Sequence, residues 1–290
     1  MNDDELPAFW QRLGLPGLID VHVHFMPDRV QQKVWAYFDR AGPLTGKDWP
    51  VHYRLTEAER LDRLRGFGIR AFSSLLYAHK PGMASWLNEW ARDFAAANPD
   101  VIQTATMFPE PGVARYVEAA IDAGARIFKV HVQVGGFDPR DPLLDPAWGL
   151  LADTSTPVVV HAGSGPTPGA FTGPGPIGEV LARHPSLAMI AAHMGMPEYA
   201  EFIGFAERYD NVRLDTTMCF TDFIDHEFPL AELGPRLVAL QGKILLGTDF
   251  PTIPHPVAHQ VEALARLDLG DAWLRDVLWH NAAQLFGVTT

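Results

Sequence analysis

Short β-branched or apolar runs alternate with segments of helical period from Leu18 to the C-terminus, the pattern of parallel βα units. Eight strands are predicted: Leu18–His24, Ile69–Leu76, Val101–Met107, Arg126–Val132, Pro157–His161, Leu187–Ala192, Val212–Asp215 and Lys243–Leu246. Helix-period stretches fall between them at Ala84–Ala97, Val113–Ala123, Gly178–His184, Glu198–Arg208 and Leu230–Leu240, several entered by Pro or left through Gly or Asn. A short helix near Pro7–Leu13 precedes the first strand, and a C-terminal pair, Val257–Arg266 and Ala272–Phe286, follows the last. Eight such units predict a closed (β/α)8 TIM barrel; a doubly wound open sheet alternates similarly, and the strand count favours the barrel.

The 290 residues suit one domain spanning 1–290, with an insertion at 28–54 after the first strand and a Gly/Pro-rich loop, Gly163–Pro176, after the fifth. Apolar residues at 47% and charged ones at 20% match a globular chain that buries a full core. A formal charge of -12 with no basic stripe argues against a nucleic-acid or anionic-membrane partner. The acidic start Met1-Asn2-Asp3-Asp4-Glu5 does not resemble an export signal, and no apolar run reaches membrane-spanning length, so a soluble cytoplasmic enzyme is expected. Cys219 is the only cysteine, which excludes an intramolecular disulfide and a thiolate zinc site. Any metal must be held by imidazole and carboxylate.

The segment Asp20-Val21-His22-Val23-His24 places two histidines at i and i+2, on one side of the first strand as it ends. His131, His161 and His193 fall at or just past the ends of strands four, five and six, and Asp249 follows strand eight. In a barrel those ends form one rim, where this architecture carries its chemistry. Three neutral imidazoles and one carboxylate suit zinc or another borderline divalent ion, with a coordination position left over. Lys129 stands at i−2 from His131 and faces the same side of strand four.

His22-Val23-His24, Val160-His161-Ala162-Gly163, Ala192-His193-Met194-Gly195, Gly247-Thr248-Asp249-Phe250-Pro251 and Asn281–Gly287 together resemble the amidohydrolase superfamily, most closely its amidohydrolase-2 branch. The resemblance runs in order from Ile19 to Gly287 and implies a distorted (β/α)8 barrel with His22, His24, His161 and Asp249 on a single zinc. It also implies that His193 stands beside the metal-held water, to orient it or help deprotonate it. Where members of the branch often carry two glycines after that histidine, this chain has Met194-Gly195-Met196. Binuclear members use a carboxylated strand-four lysine, so the resemblance leaves open a second ion bridged by Lys129; otherwise Lys129 and His131 bind substrate or support the ligands.

A divalent ion that lowers the pKa of water and polarises a carbonyl oxygen suits hydrolysis of an amide, ester or lactone bond in a small molecule. Asp249 is the expected general base and proton return, and His193 the group that stabilises the oxyanion. The alternative is a metal-dependent decarboxylase of a small carboxylic acid, which needs a cation for the substrate carboxylates. Arg54, Arg140 and Lys129 are the only candidates visible near the rim, and this favours hydrolysis. His79 and His255 lie near the same rim, where contact with substrate is the alternative to the favoured reading of a surface loop histidine, and His52, His184, His226, His259 and His280 read as surface or structural. Cys219 reads as a small buried residue, and Asp215 as a hydrogen-bond partner of a neighbouring site residue. The amphipathic Asp28–Arg40 segment suits either a lid or the surface of a homo-oligomer.

Overall fold

The computed structural model describes residues 1–42, 46–223 and 228–289. His226 and part of the 28–54 insertion lie outside the described residues. Among the described residues the strands are β1 Leu18–Asp20, β2 Ile69–Ser73, β3 Val101–Ile102, β4 Thr104–Thr106, β5 Ile127–His131, β6 Val158–His161, β7 Met189–Ala191, β8 Arg213–Asp215 and β9 Ile244–Leu245. Every predicted strand is present, each shorter than its apolar run, and the third is split at Gln103 into β3 and β4. The chain falls into two compact units, one of Met1–Phe72 with Thr216–Thr290 and one of Ser73–Asp215.

In the first unit β1 runs parallel to β2, with Ile19 opposite Ala71 and Asp20 opposite Phe72. The ladder outlives the strand. Beyond Asp20 the chain stays extended, Val21 N–H donating to the Leu246 carbonyl and His24 N–H to the Phe250 carbonyl, with a parallel bridge from Val23 to Phe250. Helices Leu6–Arg12, Asp28–Phe38, Glu57–Gly66, Leu230–Ala239 and Val257–Arg266 cover this unit. The helix Glu57–Gly66 opens on a capping box in which Thr56 and Glu59 satisfy each other's backbone N–H groups. The predicted C-terminal helix is three joined segments, Asp271–Arg275, a π-helical turn Asp276–His280, and Asn281–Phe286.

In the second unit β4, β5, β6, β7 and β8 form a parallel sheet in that order. The three valines of β6 and Ile127, Phe128 and Val130 of β5 are buried, as expected of strands covered on both faces. The register sets His131 directly opposite His161. Helices Ala84–Ala97, Val113–Asp122, Asp145–Asp153, Pro174–Arg183 and Tyr199–Arg208 alternate with the strands. The fourth of these starts inside the predicted Gly/Pro-rich loop, because Pro174 fits the first turn of a helix, where no N–H partner is needed. Among the described residues no helix is long and apolar enough to cross a membrane.

Candidate metal centre

His22, His24 and Asp249 come together in the first unit, with one ligand atom from each lying within 4.8 Å of the others. Asp249 Oδ1 is 2.7 Å from His24 Nε2 and 3.6 Å from His22 Nε2. Ion–donor bonds of about 2.0–2.2 Å put two tetrahedral donors roughly 3.3–3.6 Å apart. The His22 pair already stands at that spacing, and the His24 pair needs to open by roughly 0.6–0.9 Å while its hydrogen bond gives way to the ion. Two imidazoles and a carboxylate, nearly dry at the histidines, fit a borderline divalent cation.

Backbone and side chains hold this group in place. Asp249 N–H donates to the His22 carbonyl (2.8 Å), tying the segment after β9 to the extension of β1. Asp249 itself has φ 64°, a left-handed conformation that costs a non-glycine residue energy and that clusters at functional sites. Asp20, fully buried, accepts from His22 N–H through Oδ1 (3.0 Å) and from the Thr248 hydroxyl through Oδ2 (2.6 Å). One carboxylate thus fixes the backbone at one histidine and the residue before Asp249. Sequence reasoning passed over Asp20; an acid between Ile19 and Val21 in a strand bound for the core was the available signal.

The remaining predicted site residues belong to the second unit. His131 and His161 stack with ring centroids 3.9 Å apart and planes at 14°, and His193 meets His161 edge-on at 4.8 Å. His161 Nε2 donates to the Gly165 carbonyl at 3.0 Å, so an ion at this nitrogen has to replace that bond. His131 Nδ1 accepts from Val134 N–H (3.3 Å), which leaves its other nitrogen to carry the proton of the neutral ring. Lys129 is fully buried, and its carbonyl accepts from Thr106 Oγ1 (2.7 Å). Asp215 Oδ1 accepts from His193 N–H at 2.9 Å, the supporting role expected of it. His193 and Met194 are both left-handed (φ 54° and 49°), and Gly195 follows at φ 75° with Phe202 so close that a Cβ would fall 2.0 Å from its ring. The methionine therefore occupies a conformation in which glycine would be unstrained.

Among residues read as peripheral, His79, His52 and His280 are exposed, and Cys219 is buried with Sγ 3.3 Å from the Thr217 carbonyl. His255 departs from the expectation of a surface loop: only 9% of it is exposed, because Phe223 and His259 pack against it.

No curated protein sequence matches the chain. A TIM-barrel protein of Bordetella bronchiseptica with no assigned activity superposes with a TM-score of 0.74 at 19% identity, over 93% of this chain and 99% of that one. The manganese complex of 5-carboxyvanillate decarboxylase from Novosphingobium aromaticivorans matches at 0.65 and 15%, over 95% and 97%. A Pseudomonas putida protein described as a 2-pyrone-4,6-dicarboxylic acid hydrolase matches at 0.62 and 15%, over 94% and 98%. These likenesses show the fold, the parallel α/β TIM barrel predicted from the alternation of elements. The family model described as Amidohydrolase matches residues 19–288, and the chain belongs to that family.

Proposed function

We propose that the protein is a metal-dependent hydrolase acting on an amide, ester or lactone bond of a small molecule. The observation that carries this reading is the convergence of His22 Nε2, His24 Nε2 and Asp249 Oδ1 in a family-wide match. Those atoms would hold one divalent cation, with zinc or manganese suited to the donor set and His161 as a further ligand. Such an ion, when bound, lowers the pKa of water and polarises a carbonyl oxygen. Asp249 takes the proton from the attacking water at its carboxylate and returns it to the leaving group. His193 donates a hydrogen bond to the oxygen that gains negative charge, and Lys129 and His131 hold polar groups of the substrate. A second ion bridged by a carboxylated Lys129 belongs to the same reading, and metal content per chain decides it.

Decarboxylation is the second reading, supported by the likeness to 5-carboxyvanillate decarboxylase. The experiment is a panel of lactones, esters, amides and aromatic carboxylic acids offered to metal-loaded protein, with acid production and carbon dioxide release followed in parallel. Acid without carbon dioxide supports hydrolysis; carbon dioxide without a hydrolysis product replaces it with decarboxylation. Asp249→Asn abolishes turnover in either case, because an amide cannot take the proton, and an active variant removes Asp249 from that role.

A further inference from the structure

Gln260 lies inside the helix Val257–Arg266, yet its side chain reaches backbone far from that helix. Its Nε2 donates to the Thr248 carbonyl (2.6 Å), and its Oε1 accepts from Met218 N–H (2.8 Å). A carbonyl only accepts and an N–H only donates, so the two partners fix which end of the amide faces which. All three residues are buried. A carboxylate of the same length would set an oxygen against the Thr248 carbonyl, and an apolar side chain would strand both backbone groups away from water. Only an amide satisfies both.

Both bonds land beside strained backbone. Met218 has φ 57° and Asp249 φ 64°, conformations that cost a non-glycine residue energy and persist only where the surroundings over-determine them. The Thr248 carbonyl shares a peptide plane with Asp249 N–H, which donates to the His22 carbonyl (2.8 Å). That plane is therefore held at both edges, by Gln260 on the oxygen and by His22 on the nitrogen. Rotation about φ at Asp249 starts from this plane, so fixing it fixes the direction in which the carboxylate leaves the chain. At its other end the amide holds Met218 in the turn after β8, which Cys219 N–H closes on the Thr216 carbonyl (3.2 Å). One side chain thus ties the turn after β8 to the peptide that carries Asp249.

We propose that Gln260 is a positioning residue of the metal centre: acting through the Thr248–Asp249 peptide, it aims the Asp249 carboxylate at the cation that His22 and His24 hold. The inference rests on the reading of His22, His24 and Asp249 as the group that binds the ion, and adds to it a residue that no sequence motif marks.

The test is binding of cobalt(II) to the whole chain after a chelator has stripped it of metal, followed by the visible absorption of the bound ion, which reports donor geometry. Gln260→Met keeps the length of the side chain and removes both bonds. Its affinity for cobalt should fall about 10- to 100-fold, with a changed absorption spectrum, in protein that circular dichroism shows to be folded. Trp273→Phe is the comparison, because it removes a different buried bond in the same unit, from Nε1 to the Leu237 carbonyl (3.2 Å). It should lower the urea midpoint and leave cobalt affinity and spectrum as in wild type. Cobalt bound by Gln260→Met as by wild type, or weakened equally in both variants, overturns the proposal. Should Gln260→Met not fold, wild type decides alone. Coupling is reciprocal, so an ion that needs Asp249 aimed must tighten the bonds of Gln260. Saturating zinc should then slow hydrogen exchange, read by NMR, more at Met218 N–H than at Ala258 N–H, which is bonded to Asp3 Oδ1 (3.0 Å). Equal slowing overturns the proposal. Wild type that binds no cobalt sinks the metal centre and Gln260 with it, whereas wild type that binds cobalt beside an unaffected Gln260→Met sinks Gln260 alone.

Discussion

Asp20→Ala tests how far one buried carboxylate organises the metal centre. The residue is fully buried, and its two oxygens accept from His22 N–H at 3.0 Å and Thr248 Oγ1–H at 2.6 Å. Truncation leaves both donors in a dry interior, and each orphaned donor costs about 1–3 kcal/mol, so the variant should lose about 2–6 kcal/mol. Release from the desolvation of a buried charge works the other way and pulls the net towards the lower end. Asp20→Asn keeps one accepting oxygen but turns an NH2 group on the other donor, and about 1–3 kcal/mol is expected. Urea unfolding followed by tryptophan fluorescence reads both values. Thr248→Val completes the cycle, needed because that hydroxyl oxygen also accepts from Phe250 N–H (3.2 Å). The pair should couple by about 1 kcal/mol or more. Since the same carboxylate sets His22 and the approach to Asp249, affinity for zinc should fall about 10- to 100-fold in either Asp20 variant. Variants within about 0.5 kcal/mol of wild type, with unchanged zinc affinity, would refute the assigned role.

Three further outcomes follow from other contacts. Gly163→Ala sets a Cβ 2.4 Å from the Met196 carbonyl and 2.6 Å from the Gly195 carbonyl carbon. Backbone cannot swing aside, so a loss of about 1–3 kcal/mol in urea is expected, and a neutral substitution would mean that the loop beside His161 yields freely. Arg60 is 1% exposed, lies 5.1 Å from the Phe25 ring centroid and 5.6 Å from that of Trp35, and donates to Gln31 Oε1 (2.7 Å). Lysine has no planar face to stack on those rings, so Arg60→Lys should cost about 1–2 kcal/mol by thermal or urea denaturation; an unchanged midpoint would show the stacking to be idle. The lowered proton affinity of buried His255 sets a pH dependence. The unfolded chain binds that proton more readily, so stability present above the ordinary histidine pKa of about 6.5 is lost as pH falls through it. Relative to His255→Gln, wild type should weaken between pH 8 and pH 5, and a flat difference would show that the ring is no harder to protonate when folded.

What could be read from residues alone, and what could not, divides along the range of the interactions involved. Strand positions were legible because valine and isoleucine runs such as Val158-Val159-Val160 carry a local signal, and the element order follows from it. The pairing of His22 with His24 was legible too, although the regular strand stops at Asp20: the bridge of Val23 to Phe250 keeps the chain extended, so the alternation on which the inference rested persists past the strand. The nearness of Asp249 to His22 and His24 was expected from its place after a strand end taken together with the family resemblance of Gly247–Pro251, since an acid before Phe-Pro alone reads equally as a turn residue. The same reasoning missed Asp20, whose partner Thr248 is 228 residues away, and mistook His255, whose burial depends on Phe223 and His259. Neither the left-handed backbone at His193, Met194 and Asp249 nor the bond from His161 to Gly165 has a local signature. Residues that can hold an ion announce themselves by type; those that hold them in place are defined by distant partners. Asp20 is thus the position at which substitution tells most about this site, since its role was set by the fold and not by the motif.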